Sequence, residues 1–534
     1  MVEKVGPQQF DVTLKFGGGL HTRASEDEID AREAAGGKNF QLDVQNRELR
    51  NRKPFDLIGT VPNTSEIRGG GSLLKADGTV STLFQSAGVV YEWDGDTTFT
   101  DVTGAATVSS TSKLRGHWRS HNWTLDDKLL LTDLNLASTV LEWDGTTLSN
   151  TSFTNEAGSG FGNFLAKYLY VSNERAIFGH IKDASATVEH MLVGSERGDH
   201  TVISVSQRPA SGVTLTDPWF LLTPDLKPIN GVVEAFGSVI VSSEQGQIFN
   251  LTGFDATDFK FDDFYPGSAA SGDESLAYIG NDIIYGRQGR LESVRDTDRF
   301  GDSEADDLSV NISPDIEAYT GWRTVYNSRL NRVYLFPESQ GEVWAFQTAM
   351  RGGQVSEWMK WETSHSLDFQ PTFVQSMLDP SDGLEYVFMG DSSGNIYRME
   401  GSGAAGDGGN TNIETEFLSK LFSAPLDAQA YEVEGHIKYR KSVAADVEII
   451  MEYAGESIFN ESLTVSLPAL TDQIYWGGDI YWGGDIYWGS ASGRLARQKF
   501  FPPGQGNEFQ IRVKSTGVND IDINEILLRF KAAS

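Results

Sequence analysis

The segment Gly88-Val-Val-Tyr-Glu-Trp-Asp-Gly95 returns as Thr139-Val-Leu-Glu-Trp-Asp-Gly145, each with Thr-Thr close behind. The two tryptophans, Trp93 and Trp143, stand 50 residues apart. Weaker echoes follow at Gln245-Gly-Gln-Ile-Phe-Asn-Leu-Thr-Gly253, Gln288-Gly-Arg-Leu-Glu-Ser-Val294, Gln340-Gly-Glu-Val-Trp-Ala-Phe346 and Ser393-Gly-Asn-Ile-Tyr-Arg-Met399. Another falls near Val188 to Val193. Each is a turn leading into an alternating strand. Most are preceded by another strand, as in Gly237-Ser-Val-Ile-Val241 and Asp282-Ile-Ile-Tyr285.

A spacing of roughly 40 to 60 residues is the size of one four-stranded blade. A lone blade cannot bury both faces of its sheet, whereas a closed ring of blades buries them and leaves only short edges. The expected fold is all-β: a β-propeller of six to eight blades over 61–400, with a C-terminal β-sandwich module. A pair of β-sandwiches with similar hairpins is the competing arrangement. The one good helix signal is Ser25-Glu-Asp-Glu-Ile-Asp, where Ser25 would cap a short helix ended by Gly36 and Gly37.

Residues 1–60 form an N-terminal platform or contact segment on this reading. Gly401-Ser-Gly-Ala-Ala-Gly-Asp-Gly-Gly-Asn410 reads as a flexible linker (401–410). Residues 411–534 hold about six alternating strands, the pattern of a small sandwich. Within them lies a six-residue repeat, Asp-Ile-Tyr-Trp-Gly-Gly, over 473–490. Its even period puts Ile and Trp on one strand face and Asp and Tyr on the other. It is either a hairpin packed on its own domain or an aromatic surface for a partner, presenting Trp476, Trp482 and Trp488.

Lys plus Arg total 43 and Asp plus Glu 75, a net charge of −32. Such a chain repels nucleic-acid phosphates rather than gripping them. Its one basic cluster, Arg47, Arg50, Arg52 and Lys53, is a candidate protein contact. With no cysteine, disulfide scaffolds, thiol catalysis and cysteine-based zinc sites are excluded. The N-terminus lacks the apolar core of a signal peptide, and no run of about 18 apolar residues occurs.

Chemistry-bearing motifs are sparse. Neither Gly-x-Ser-x-Gly, nor a P-loop, nor a dinucleotide fingerprint occurs. His117 and His121 have metal-ligand spacing only if they share a helix, and their surroundings read as strand and loop. Asp94 and Asp96 could touch calcium, although a solvated turn suits them better. No catalytic, cofactor or metal residue is assigned.

The first 60 residues carry a resemblance. Phe16-Gly-Gly-Gly-Leu-His-Thr-Arg23, an acidic stretch, Lys38-Asn-Phe40 and Glu48-Leu-Arg-Asn-Arg-Lys-Pro54 resemble the opening of tail nozzle (tail tubular protein B-like) proteins of podoviruses, the short-tailed bacteriophages. The resemblance implies a non-enzymatic virion protein without cofactor. It implies a homohexamer below a tail adaptor ring, possible tail-fibre and host-envelope contacts, and passage of viral double-stranded DNA. The site would be the virion tail, assembled in the bacterial cytoplasm. A host-glycan-binding tail protein and a propeller glycoside hydrolase are the alternative readings.

Overall fold

The computed structural model describes residues 8–43, 48–75, 77–116, 128–155, 164–172, 174–182, 187–204, 217–235, 237–244, 247–253, 256, 258–265, 270–279, 282–296, 303–338, 340–348, 358–362, 370–401, 407, 413–423, 429–440, 445–453, 462–467, 496–501, 508–517 and 522–533. Among the described residues, seven antiparallel four-stranded units follow one another, the first beginning at Ile67 and the seventh taking its fourth strand from before Ile67. They are numbered here as blades 1 to 7, beginning at Ile67, Leu114, Leu165, Ile229, Leu276, Trp322 and Phe373. The first strands neighbour one another round a closed ring, except that blade 2 meets blade 3 through its second strand, Leu129–Asp133. Blades 1 and 2 are joined into one eight-stranded sheet by a parallel pairing of Arg115 with Gly70.

The architecture is a seven-bladed β-propeller. Its ring is closed by the N-terminal segment: strand Asp56–Thr60 pairs antiparallel with Asn395–Arg398 as the outermost strand of blade 7. Both ends of the propeller therefore contribute to one blade, and opening the ring requires breaking that strand pairing.

The repeated Glu-Trp-Asp-Gly has a local cause. Asp94 accepts from the amides of Asp96 and Thr98, and Asp144 from those of Thr146 and Thr147. Each carboxylate thereby folds its own turn. The turn glycine sits at positive φ, 88° at Gly95 and 84° at Gly145. Both also lie where blades touch: a Cβ on Gly95 would fall 2.8 Å from the Ser381 amide of blade 7. Lys75 of blade 1 donates to the Gly145 carbonyl at 3.0 Å. The tryptophans are buried with their ring N–H groups used, Trp93 on the Asp96 carbonyl and Trp143 on Ser81.

Two six-stranded sheets flank the propeller. One is ordered Phe40–Asp43, Glu48–Asn51, Asp522–Ala533, Gln429–Arg440, Ala496–Phe500, with Gln8–Lys15 also on Asp522–Ala533. The other is ordered Ala34–Lys38, Ile413–Ser419, Glu508–Gly517, Ala445–Tyr453, Ser462–Leu467, with Phe422–Ser423 also on Glu508–Gly517. The Phe509 and Phe530 rings, one from each sheet, lie 4.4 Å apart in a shared core. Residues 411–534 do not build this module alone, because the first 51 residues supply strands to both sheets.

The expected helix after Ser25 is absent. Residues 26–28 form a single turn closed by the Glu28 amide on the Ser25 carbonyl, and Ala34–Lys38 is a strand. The stretch buries only Ile29 and Ala34 among its apolar residues, too few for an apolar stripe to hold a helix down. Asp30 instead binds both the amide and the guanidinium of Arg32, fixing a local turn.

Candidate functional sites: the propeller axis and the joint to the flanking sheets

A cavity of about 200 Å3 lies on the axis, walled by the first strands of blades 3 to 7 and by Arg115 of blade 2. The charge on these seven first strands runs against the composition of the chain. They carry Arg68, Arg115, Lys167 and Arg323 against one acid, Glu234. Arg68 pairs with Glu66, one residue before its strand, whereas the counter-charges of Arg115 and Lys167 come from one loop. Glu274, just before blade 5, holds the buried guanidinium of Arg115 with both carboxylate oxygens, Oε2 at 2.9 Å from Nη2. Its neighbour Asp273 accepts from the Tyr168 hydroxyl and lies 3.6 Å from Lys167 Nζ. Burial, reinforced by Asp273, raises the Tyr168 phenol far above its ordinary range, so it stays a donor.

These contacts cross the ring from blade 5 to blades 2 and 3. The Gln375 side-chain amide adds a crossing from blade 7 to the Gly116 carbonyl of blade 2. Rows of turn residues made none of this visible beforehand. The available signal was the placing of basic residues on the first strand of successive repeats in a strongly acidic chain.

The joint centres on Arg52. Its guanidinium donates to Asn39 Oδ1 at 3.0 Å, to the Lys53 carbonyl at 3.1 Å, to the Glu362 carbonyl at 3.2 Å and to both oxygens of Asp407, with Nη1 to Oδ1 at 2.8 Å. It also stacks over Phe55, 4.0 Å from the ring centre. One side chain thereby ties the N-terminal segment, the end of blade 6 and the segment leaving blade 7. Nearby, Glu400 binds Arg332 and Tyr334 in a second buried cluster. Of the Gly-rich stretch 401–410 the structure describes Gly401 and Asp407, and Asp407 is held fast by Arg52.

The outer edge of blade 6 is covered by the same segment. The Trp358 carbonyl accepts from the Leu20 amide at 2.7 Å and the Lys360 carbonyl from the Asn39 amide at 2.8 Å. The Glu362 amide donates to Asn39 Oδ1, and the Trp361 ring N–H to the Phe40 carbonyl. Backbone groups that would otherwise form an open sheet edge are satisfied internally. Gly19 is required here, because a Cβ would fall 2.0 Å from the Trp358 carbonyl oxygen.

The four basic residues expected to face a partner separate. Arg52 is buried, 1% exposed, and is an internal anchor. A basic residue beside Phe55 and the linker had nowhere to show its burial in a one-dimensional pattern. Arg50 is half-buried between Glu48 and Asp522. Lys53 is exposed. Arg47, Trp476, Trp482 and Trp488, together with His117 and His121, lie outside the described residues. Asp94 and Asp144 spend their carboxylates on turn amides, and among the described residues no three His, Asp or Glu side chains group as a metal site.

No protein-family model and no curated protein matches the sequence. Similar solved structures include the β-propeller domain of Myceliophteria_thermophila Cps50 (Swd1), at 11% identity over 65% of this chain and 100% of that one, TM-score 0.38. BBS1N, in complex with ARL6DN, is 8% identical over 66% and 98%, TM-score 0.40. The computationally designed Ika8 protein is 13% identical over 64% and 99%, TM-score 0.34. At such scores the propeller assignment rests on strand order and ring closure in this chain.

Proposed function

We propose that the chain is a structural subunit of a short phage tail, a nozzle protein that acts as a homohexamer beneath an adaptor ring. The observation that carries this reading is the location of the resembling residues. Phe16 to Arg23, Asn39, Phe40 and Glu48 to Pro54 build the joint that clamps the propeller to the two-sheet module, which we read as the sandwich. A motif retained for architecture suits a wall component, whose job is to hold shape under load.

On this reading the DNA path runs between subunits rather than through a propeller, and the contacts crossing the propeller axis support that choice. A net charge of −32 suits such a path, because like charge keeps the duplex from sticking to the wall. No reaction is involved on this reading, and the gating elements would be loops facing the shared axis.

Sedimentation of the purified chain, alone and mixed with the neighbouring tail proteins, tests the reading. A species with six copies in either sample is the expected result. A monomer in both contradicts it and moves the weight to a glycan-binding or hydrolytic propeller.

A further inference from the structure

The loop 271–275, Ser-Gly-Asp-Glu-Ser, behaves as a bound ligand would. From blade 5 it sends two carboxylates across the ring to the adjacent blades 2 and 3, one to Arg115 and one to Tyr168 and Lys167. Its backbone is bent to do so, with φ of 91° at Gly272 and 66° at Glu274. A left-handed glutamate is an uncommon conformation and is disfavoured without outside support. Support comes from blade 6, whose Thr324 amide and hydroxyl donate to the Glu274 and Ser275 carbonyls at 2.8 and 3.0 Å.

The two arginines near the loop are also held by groups outside it. Arg115 Nη1 is held by the Arg68 and Leu114 carbonyls at 2.8 and 2.9 Å, and its guanidinium lies 5.0 Å from the Phe373 ring centre. Arg323 approaches the same segment from blade 6, donating to the Thr372 carbonyl at 2.9 Å and the Pro371 carbonyl at 3.3 Å. Among the described residues Arg323 forms no ion pair. Burial pushes its guanidinium down, Glu274 pulls it up and Arg115 pushes it down again, so the two arginines sense each other. Two guanidinium groups are fixed by carbonyls; Arg115 is paired with Glu274, while Arg323 feels Glu274, Glu338 and Glu66 without an ion pair among the described residues, which leaves it capacity for an added anion.

We propose that the axial mouth of the propeller binds a small organic carboxylate, and that Asp273 and Glu274 are the chain's own competitors for the site. The planar fork of Arg115 already grips a carboxylate through two nitrogens, which selects that group over a point anion. The cavity of about 200 Å3 behind it is walled by Leu134, Leu169, Val232 and Leu276, which suits a short carbon chain. The inference stands apart from the nozzle reading, since it concerns one propeller and needs no oligomer.

The test is calorimetric titration of the full-length chain with succinate at low ionic strength. Glu274→Gln removes the competitor on Arg115 while keeping its shape, and should bind succinate about tenfold tighter than the unaltered chain. Adding Arg323→Gln, which leaves Arg115 untouched, should cancel the gain. Arg115→Lys should weaken binding by loss of the fork. Thermal melting of each variant verifies folding. Absence of succinate binding in Glu274→Gln overturns the proposal. So does binding undiminished by Arg323→Gln, or inorganic phosphate binding as tightly as succinate.

Discussion

Arg52 and Asp407, 355 residues apart in the chain, form a buried bidentate pair in which the guanidinium also reaches Asn39, Lys53 and Glu362. Removing one partner strands the other charge away from water. Asp407→Ala should therefore cost about 3–5 kcal/mol in urea-induced unfolding. A double variant, Arg52→Met with Asp407→Leu, should recover part of that loss, since neither charge remains. A loss under about 1 kcal/mol for Asp407→Ala would mean that the pair is not a structural anchor.

Gly95 and Gly78 separate two costs of one substitution. Their φ angles are nearly equal, 88° at Gly95 and 86° at Gly78. A Cβ on Gly78 meets nothing within 4 Å, whereas on Gly95 it meets the Ser381 amide at 2.8 Å. Gly78→Ala should cost roughly 1–2 kcal/mol, the left-handed backbone alone. Gly95→Ala should cost clearly more, because blades 1 and 7 must part. Equal losses by denaturant unfolding would show that the two blades do not meet at this turn.

Glu142, the glutamate of the second Glu-Trp-Asp-Gly, binds His200 at 2.9 Å and Lys128 at 3.0 Å. The His200 hydrogen bond, with help from Lys128, lowers its carboxyl to about 2 despite burial. A depressed folded value stabilises above the unfolded value of 4.5 and is lost as pH falls through about 2. Melting temperature should therefore drop across that window less steeply in Glu142→Gln than in the unaltered chain. Parallel slopes in calorimetry would contradict the assignment.

The strand Asp56–Thr60 closes blade 7, and residues 8–51 supply strands to both flanking sheets. Deleting residues 1–60 should abolish cooperative folding, leaving an open blade edge and two incomplete sheets. Near-ultraviolet circular dichroism and gel filtration would read this as lost tertiary signal and aggregation. A monodisperse, cooperatively melting fragment would show that the propeller closes by itself.

The ring was legible because its signal is local. Val89–Trp93, Leu141–Trp143, Thr187–Gly194, Ile248–Thr252, Arg290–Asp296, Glu342–Gln347 and Asn395–Arg398 are the third strands of the seven blades, and all seven correspond to the echoes in the sequence. A turn glycine before an alternating strand depends on neighbours in the chain. Closure of blade 7 by residue 60 was not legible, since a pairing across more than 330 residues leaves no periodicity. Arg52 misled for a related reason. A basic side chain is normally solvated, and only Asp407 and the carbonyls converging on it make burial tolerable. The axial charges were hidden too, because Arg115 and Glu274 belong to different repeats and meet only when the ring closes.

On the proposed function, this propeller is one wall segment of a DNA-conducting ring. Electron microscopy of the purified chain with its neighbouring tail proteins tests it most directly. The expected image is a sixfold ring with a central opening between subunits, acidic side chains on that opening, and each propeller's own axis filled at Arg115 and Glu274. Isolated monomers in both the free and mixed samples, or a ring whose inner wall is basic, would contradict it.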